Sequence, residues 1–322
     1  MSSIVLVTGG SGLIGHGIQR FLKKEPQKEY EFIFLSSQDC DLRDKKKTRD
    51  LFMKYEPDYV IHLAAKVGGL YANMTYPVEF YRDNILMNDT IMELCREFCV
   101  KKLISCLSTC VFPDKDYVTY PLDETMIHRG PPHPSNEAYS YAKRNVDVMN
   151  RSYHRQYGCN FMSIIPTNVY GTHDNFHLED SHVLPALIHK AYLAKKYDLD
   201  FVISGSGQPL RQFIYNDDLG QIIVYLLKNY DQAPESVILC PDEKDEISIK
   251  EIAGMIAKNF DIPEHRIKYD VSREDGQYKK TASNAKLRSI LPKFYEFTKI
   301  DEGIRETCEW FKASNYEQDI RK

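Results

Sequence analysis

No apolar run in the sequence approaches the roughly 20 residues a helix needs to cross a bilayer, so no membrane partner is expected. The chain runs straight into SSIVLVTGG. It lacks a basic stretch followed by an apolar one and a cleavage site, so a secreted form is not expected. No C-x-x-C pair occurs, and eight cysteines in 322 residues fall short of a disulfide framework. They read as thiols in a reducing compartment, with the cytoplasm as the default location. Charge of one sign is lacking too: the net charge is −4 and no charge block exceeds a few residues. Without a basic face no nucleic-acid partner is expected, and an anionic small molecule must be held by local Lys and Arg. There is no internal repeat and no low-complexity segment. What is present is a soluble composition, 43% hydrophobic and 27% charged, in a chain long enough for one large domain or two modest ones.

Short, β-branched, nearly all-apolar runs recur through the first half: SIVLV, EFIFLSS, YVIHLAA, KLISCLS and FMSIIPT. Such runs suit strands buried on both faces of a parallel sheet. Amphipathic patterns at 13–24, 45–55, 77–98 and 137–157 separate them. The alternation predicts an α/β fold with a Rossmann-type doubly wound sheet. After about residue 170 the rhythm changes. A polar loop leads into a helix at HVLPALIHKAYLAKKY, and FVISGSGQPLRQFIYNDD reads as a strand, a glycine turn, a second strand and a helix start. Ser248-x-x-Glu251 is a capping-box pattern, and 301–315 reads as a last helix. The expected division is 1–169 with about 213–240 as the sheet domain, and about 170–212 with 241–322 as a smaller α/β lobe over the sheet's C-terminal edge, where ligands of open α/β sheets bind.

Gly9, Gly12 and Gly15 open the first helix in G-x-x-G-x-x-G spacing, with Gly10, Ser11, Leu13 and Ile14 completing the turn. Glycines allow close approach to a pyrophosphate, and the helix N-terminus offers free N–H groups, so a dinucleotide is expected here. The second strand ends in Ser36 and Ser37 where an acid would grip the ribose hydroxyls of NAD. Small hydroxyls tolerate a 2′-phosphate and favour NADP(H) as cofactor. In DCDLRD, Asp41 is placed at the adenine edge beside Leu42, while nearby Asp39 keeps NAD open as an alternative. No arginine clamp is evident at the spot. Ala64 and Ala65 are small enough to pass beside the cofactor.

Tyr139 and Lys143 lie four apart on the helix read at 137–157, hence on one face. An ammonium near a phenol is expected to lower the phenol's pKa and let the pair pass a proton at a carbonyl while a hydride moves. Ser108 stands upstream at a strand mouth, and Cys110 two residues on is read as pointing to the same side of that strand. From the residues alone, Cys110 is open to being a packed thiol, a metal ligand, half of a disulfide or an acid/base group. His173, His177 and His182 look metal-like, but no acid or cysteine set completes them and no metal is expected.

The glycine turn with Ser108, Tyr139 and Lys143 resembles the extended short-chain dehydrogenase/reductases that act on nucleotide sugars, over essentially the whole chain. STCVFP (108–113), THDNFHLEDSHVLPAL (172–187) and GSGQPLRQFIYNDD (205–218) narrow the likeness to the GDP-L-fucose synthase family. That resemblance implies a homodimeric enzyme that epimerises C3 and C5 of GDP-4-keto-6-deoxy-D-mannose and then reduces the 4-ketone with NADPH. It makes Cys110 and His182 the acid/base pair, with Ser108, Tyr139 and Lys143 at the carbonyl. It also implies Pro166, Thr167, Asn168, Val169 and His182 beside the cofactor, and Lys190, Arg211, Asp275 and Lys280 on the GDP part. Thr172, Ser204 and Asn216 depart from the family's usual Pro, aromatic and Val. The alternatives are another NADP-dependent nucleotide-sugar reductase or epimerase, or a non-enzymatic NADPH-binding protein.

Overall fold

The computed structural model describes residues 2–272 and 277–314, with Leu70 and Tyr71 by backbone alone. Strands β1 (Ser3–Thr8), β2 (Tyr30–Leu35), β3 (Tyr59–His62), β4 (Lys102–Cys106) and β5 (Phe161–Pro166) alternate with α1 (Leu13–Lys24), α2 (Lys45–Tyr55), the short α3 (Leu70–Thr75), α4 (Pro77–Glu97) and α5 (Glu137–Tyr157). Then follow β6 (Asn168–Tyr170), α6 (Val183–Lys196), β7 (Phe201–Ser204), β8 (Leu210–Arg211), β9 (Phe213–Tyr215), α7 (Asn216–Asn229) and β10 (Ser236–Leu239). Last come β11 (Ile247–Ser248), α8 (Ile249–Asn259), β12 (Ile267–Asp270), α9 (Ala285–Ile290) and α10 (Ile300–Ala313).

Six strands form one parallel sheet in the order β10-β5-β4-β3-β1-β2. The strand order reverses at β1, because β2 lies on one side and β3 on the other. This switch point opens a crevice between diverging crossovers. Val5, Leu6, Val7, Val60, Ile61, Leu103 and Ile104 are wholly buried, so these runs are apolar on both faces, and each such side chain contributes about 1.5–3 kcal/mol. A buried chain of hydrogen bonds pins the two strands flanking the switch. The Ala64 N–H donates to Thr8 Oγ1 (3.3 Å), the Thr8 hydroxyl to His62 Nδ1 (2.7 Å), and His62 Nε2–H to Asn88 Oδ1 (3.1 Å). Burial holds His62 down at a pKa of about 3, so the ring stays neutral.

Helices α1 and α7 touch backbone to backbone. A Cβ on Gly17 would stand 2.0 Å from the Asn216 carbonyl oxygen, and one on Gly220 would stand 2.3 Å from Gly17. Asn216, a departure from the family's Val, donates to the carbonyls of Leu13 (3.3 Å) and Thr172 (3.1 Å). It thus ties the start of α1 to the loop before α6. Thr172, the second departure, accepts from the Arg20 guanidinium at 2.6 Å. The pairs β6–β9, β7–β12 and β8–β11, with α6, α8 and α10, enclose a second apolar core around Phe176, Leu184, Phe201, Ile252 and Phe311. The Ser248/Glu251 capping box opens α8 as expected.

One element differs from the sequence reading. Strand β4 stops at Cys106, and Ser108 caps a 3₁₀ turn over Thr109–Val111. Cys110 therefore sits on a turn rather than on an extended strand beside Ser108. The cause is tertiary: Arg144 of α5 donates to the carbonyls of Val111 (2.5 Å) and Gly130 (2.7 Å), curling the chain back onto that helix.

Candidate active site

A cleft of about 680 Å³ lies across the switch point. Its floor is the glycine turn. Gly9 has φ +69, and a Cβ there would meet the Ala64 nitrogen at 2.7 Å; a Cβ on Gly15 would stand 2.2 Å from the Gly10 oxygen. Only glycine fits either position. Gly12 caps α1 with no side-chain partner, leaving first-turn N–H groups to an incoming anion.

Most of the residues singled out in the sequence line this one cleft. Gly9, Ser11, Gly12, Leu13 and Ile14 form the floor, Ser36, Ser37, Asp41, Leu42, Ala64 and Ala65 one wall, and Ser108, Tyr139, Lys143, Pro166, Thr167, Asn168, Val169 and His182 the other. Gly10 and Gly15 lie behind the turn. Asp39 does not reach the cleft; its carboxylate accepts from the Ser36 N–H and hydroxyl, both at 2.7 Å. Cys110 is 6% exposed and off the cleft lining, yet its charge would be felt by Tyr139, Lys143 and Lys280. Lys280 is in turn within electrostatic reach of Arg211, which donates to the Leu210 carbonyl at 2.7 Å. Lys190 lies farther out, donating to Ser204 Oγ at 3.3 Å. Asp275 falls outside the described residues. Among the described residues no His, Cys, Asp and Glu group has the makings of a metal site.

The electrostatics correct one expectation. Lys143 does not lower the Tyr139 pKa; burial, followed by the Cys110 and Cys106 thiols, drives it well above the usual phenol range. The Lys143 amine sits 5.9 Å from the Tyr139 ring centroid and donates to the Cys106 carbonyl at 2.8 Å, with its own pKa lowered by burial. Tyr139 therefore holds its proton and is a donor at neutral pH. His182 caps the start of α6. Protein packed around the ring lowers its pKa, although the side chain remains open to the cleft. Among the described residues Ser108 Oγ accepts a single long bond, from the Cys110 N–H at 3.4 Å, and its own hydrogen is available to a ligand oxygen.

Five charged cleft residues went unassigned in the sequence: Arg43, Lys66, Asp83, Asp174 and Asp180. Arg43 stands in DLRD immediately after Asp41 and Leu42, and that adjacency was the available signal.

The sheet order and the cleft at its switch point define a Rossmann-type α/β architecture. Residues 5–240 match the family described as NAD dependent epimerase/dehydratase. The chain is 54% identical over 313 residues to the GDP-L-fucose synthase of Dictyostelium discoideum, covering 97% of this chain and 96% of that one. It is 46% identical to the probable GDP-L-fucose synthase of Drosophila melanogaster, covering 98% of each. The crystal structure of a GDP-L-fucose synthetase from Naegleria fowleri bound to NADP superposes with a TM-score of 0.93 at 47% identity, over 99% of this chain and 95% of that one. The chain belongs to the NAD dependent epimerase/dehydratase family, in its GDP-L-fucose synthase branch.

Proposed function

We propose that the protein converts GDP-4-keto-6-deoxy-D-mannose to GDP-L-fucose, inverting C3 and C5 and then reducing the 4-ketone, with NADPH as reductant. The observation that carries this is convergence: Ser108, Tyr139, Lys143 and His182 share one cleft with the glycine turn, and Cys110 lies within electrostatic reach of Tyr139. The turn and the α1 N-terminus suit a pyrophosphate, Ser36 and Ser37 leave room for a 2′-phosphate, and Pro166, Asn168 and Val169 border the nicotinamide end. When bound, NADPH supplies the hydride for C4.

Ser108 and Tyr139 donate hydrogen bonds to the sugar's 4-oxygen. This polarises the ketone and acidifies the hydrogens on C3 and C5. Cys110 and His182 take a proton from one face of each carbon and return one to the other. Once both centres are inverted, Tyr139 gives its proton to the 4-oxygen, and Lys143 holds the local charge as it does so. Arg211 and Lys280 hold the diphosphate, the former as a rigid fork, with Lys190 and Asp275 toward the rest of the GDP. In this division residues 1–169 with 213–240 carry the cofactor, and 170–212 with 241–322 carry the GDP-sugar.

The protein acts as a homodimer through α4 and α5, which pack on each other and leave Val78, Tyr81, Leu86, Tyr141 and Val148 exposed. A cytoplasmic site of action fits its eight free thiols. The test is turnover of GDP-4-keto-6-deoxymannose and NADPH in deuterated water. One NADPH is consumed per product, and deuterium enters C3 and C5. A product with neither carbon labelled overturns the assignment.

A further inference from the structure

Beyond the ends of β2 and β3 the cleft carries a charged assembly that the proposed reaction does not use. Arg43 donates from Nε and Nη2 to the Asp41 carboxylate at 2.9 and 2.8 Å, and its Nη1 lies 3.1 Å from Asp83 Oδ1 on α4. The other oxygen of Asp83 is 3.1 Å from the Lys66 amine. Two carboxylates thus face two cations, and the group is neutral as a whole. Asp41, and after it Asp83, raise the Arg43 pKa further, so the guanidinium is charged at every working pH. All four side chains line the same cleft as Ser36 and Ser37.

A guanidinium has five N–H hydrogens. One Nη1 and one Nη2 hydrogen of Arg43 remain beyond those used on Asp41 and Asp83. A planar fork clamped on one edge by a carboxylate cannot swing, so little entropy is lost when its free edge meets an anion. The opposing feature is equally specific. Asp39, the acid placed to hold ribose hydroxyls, spends its carboxylate on Ser36 and is not among the cleft-lining residues.

We propose that Arg43, aimed by Asp41 and Asp83, reads the 2′-phosphate of the cofactor and sets the preference for NADPH over NADH. This rests on the NADPH reading above. A phosphate monoester carries about −1.5 to −2 charges at pH 7, and the free edge of Arg43 matches two of its oxygens. The hydroxyls of Ser36 and Ser37 leave the space and repel nothing. Lys66, held by the same Asp83, adds positive charge without touching the fork.

Dissociation constants for NADPH, NADH, adenosine 2′,5′-bisphosphate and 5′-AMP test this on the intact protein without turnover. Arg43→Ala weakens NADPH and the 2′,5′-bisphosphate by roughly 10- to 100-fold, the scale of a lost charge-assisted pair, and leaves NADH and 5′-AMP within about twofold. Arg43→Lys keeps the charge but not the fork and falls between. Unchanged NADH binding also reports that the variant is folded. Arg43→Ala binding NADPH as tightly as the native chain overturns the inference alone. A native chain that binds neither dinucleotide overturns the NADPH reading and this inference with it.

Discussion

At the scale of single residues, Cys110 separates the two halves of the proposed chemistry. Its thiol is buried on a turn whose backbone is fixed by Arg144, so its removal changes chemistry without moving Ser108. Cys110→Ala lowers deuterium exchange at C3 and C5 by about 10²–10⁴-fold, the usual weight of one acid/base group, while the NADPH dissociation constant holds. Exchange at the native rate makes the thiol scaffold. Two residues show where the sequence was readable and where it was not. Gly9 was legible because its neighbours in the chain, a strand and a helix, dictate the turn. The sign of the Tyr139 shift was not. Helical spacing puts Lys143 on the same face, but the burial that decides the direction comes from elements distant in sequence. Arg43 was overlooked for a related reason. Asp83, which aims it, belongs to another helix, and nothing in DLRD announces that partner.

Elements were easier to read than their joints. The helices at 13–24, 45–55 and 137–157 carry strong apolar periodicity and stand as expected. The end of β4 was misjudged because two carbonyl acceptors for Arg144, rather than local propensity, turn the chain. The joint at the start of α7 has a pH signature. Asp218 is 7% exposed and accepts from the Thr298 N–H and hydroxyl, both at 2.8 Å. Burial still dominates and raises its pKa to about 6. The folded state therefore binds this proton more tightly than the unfolded chain, where the group titrates near its ordinary 3.8. The stability it contributes is full below that ordinary value and is lost as pH rises to about 6. Asp218→Asn keeps both Thr298 bonds, since its amide can donate to the hydroxyl, and removes the penalty. Its stability advantage over the native chain in urea grows from pH 4 to 6 and levels off above, at roughly 1–3 kcal/mol. A difference flat with pH contradicts this account.

For the molecule as a whole, the proposed dimer covers the exposed apolar side chains of α4 and α5. Light scattering on the purified chain is expected to give twice the chain mass. The double variant Tyr81→Glu, Val148→Glu gives the single-chain mass with an unchanged far-ultraviolet spectrum. A native chain of single mass rules the dimer out. The curl after β4 reaches further than the reaction it serves. Ser108 and Cys110 ride on one turn, yet on the proposed reading only the Ser108 hydroxyl, by its hydrogen bond to the 4-oxygen, takes part when the ketone carbon accepts a hydride. A lineage that altered codon 110 alone would shed the two inversions and keep a serviceable sugar-ketone reductase, with the fold, the cleft and the cofactor seat inherited intact. On that reading the inversions hang on two side chains, Cys110 and His182, and losing either one leaves the machine beneath them standing.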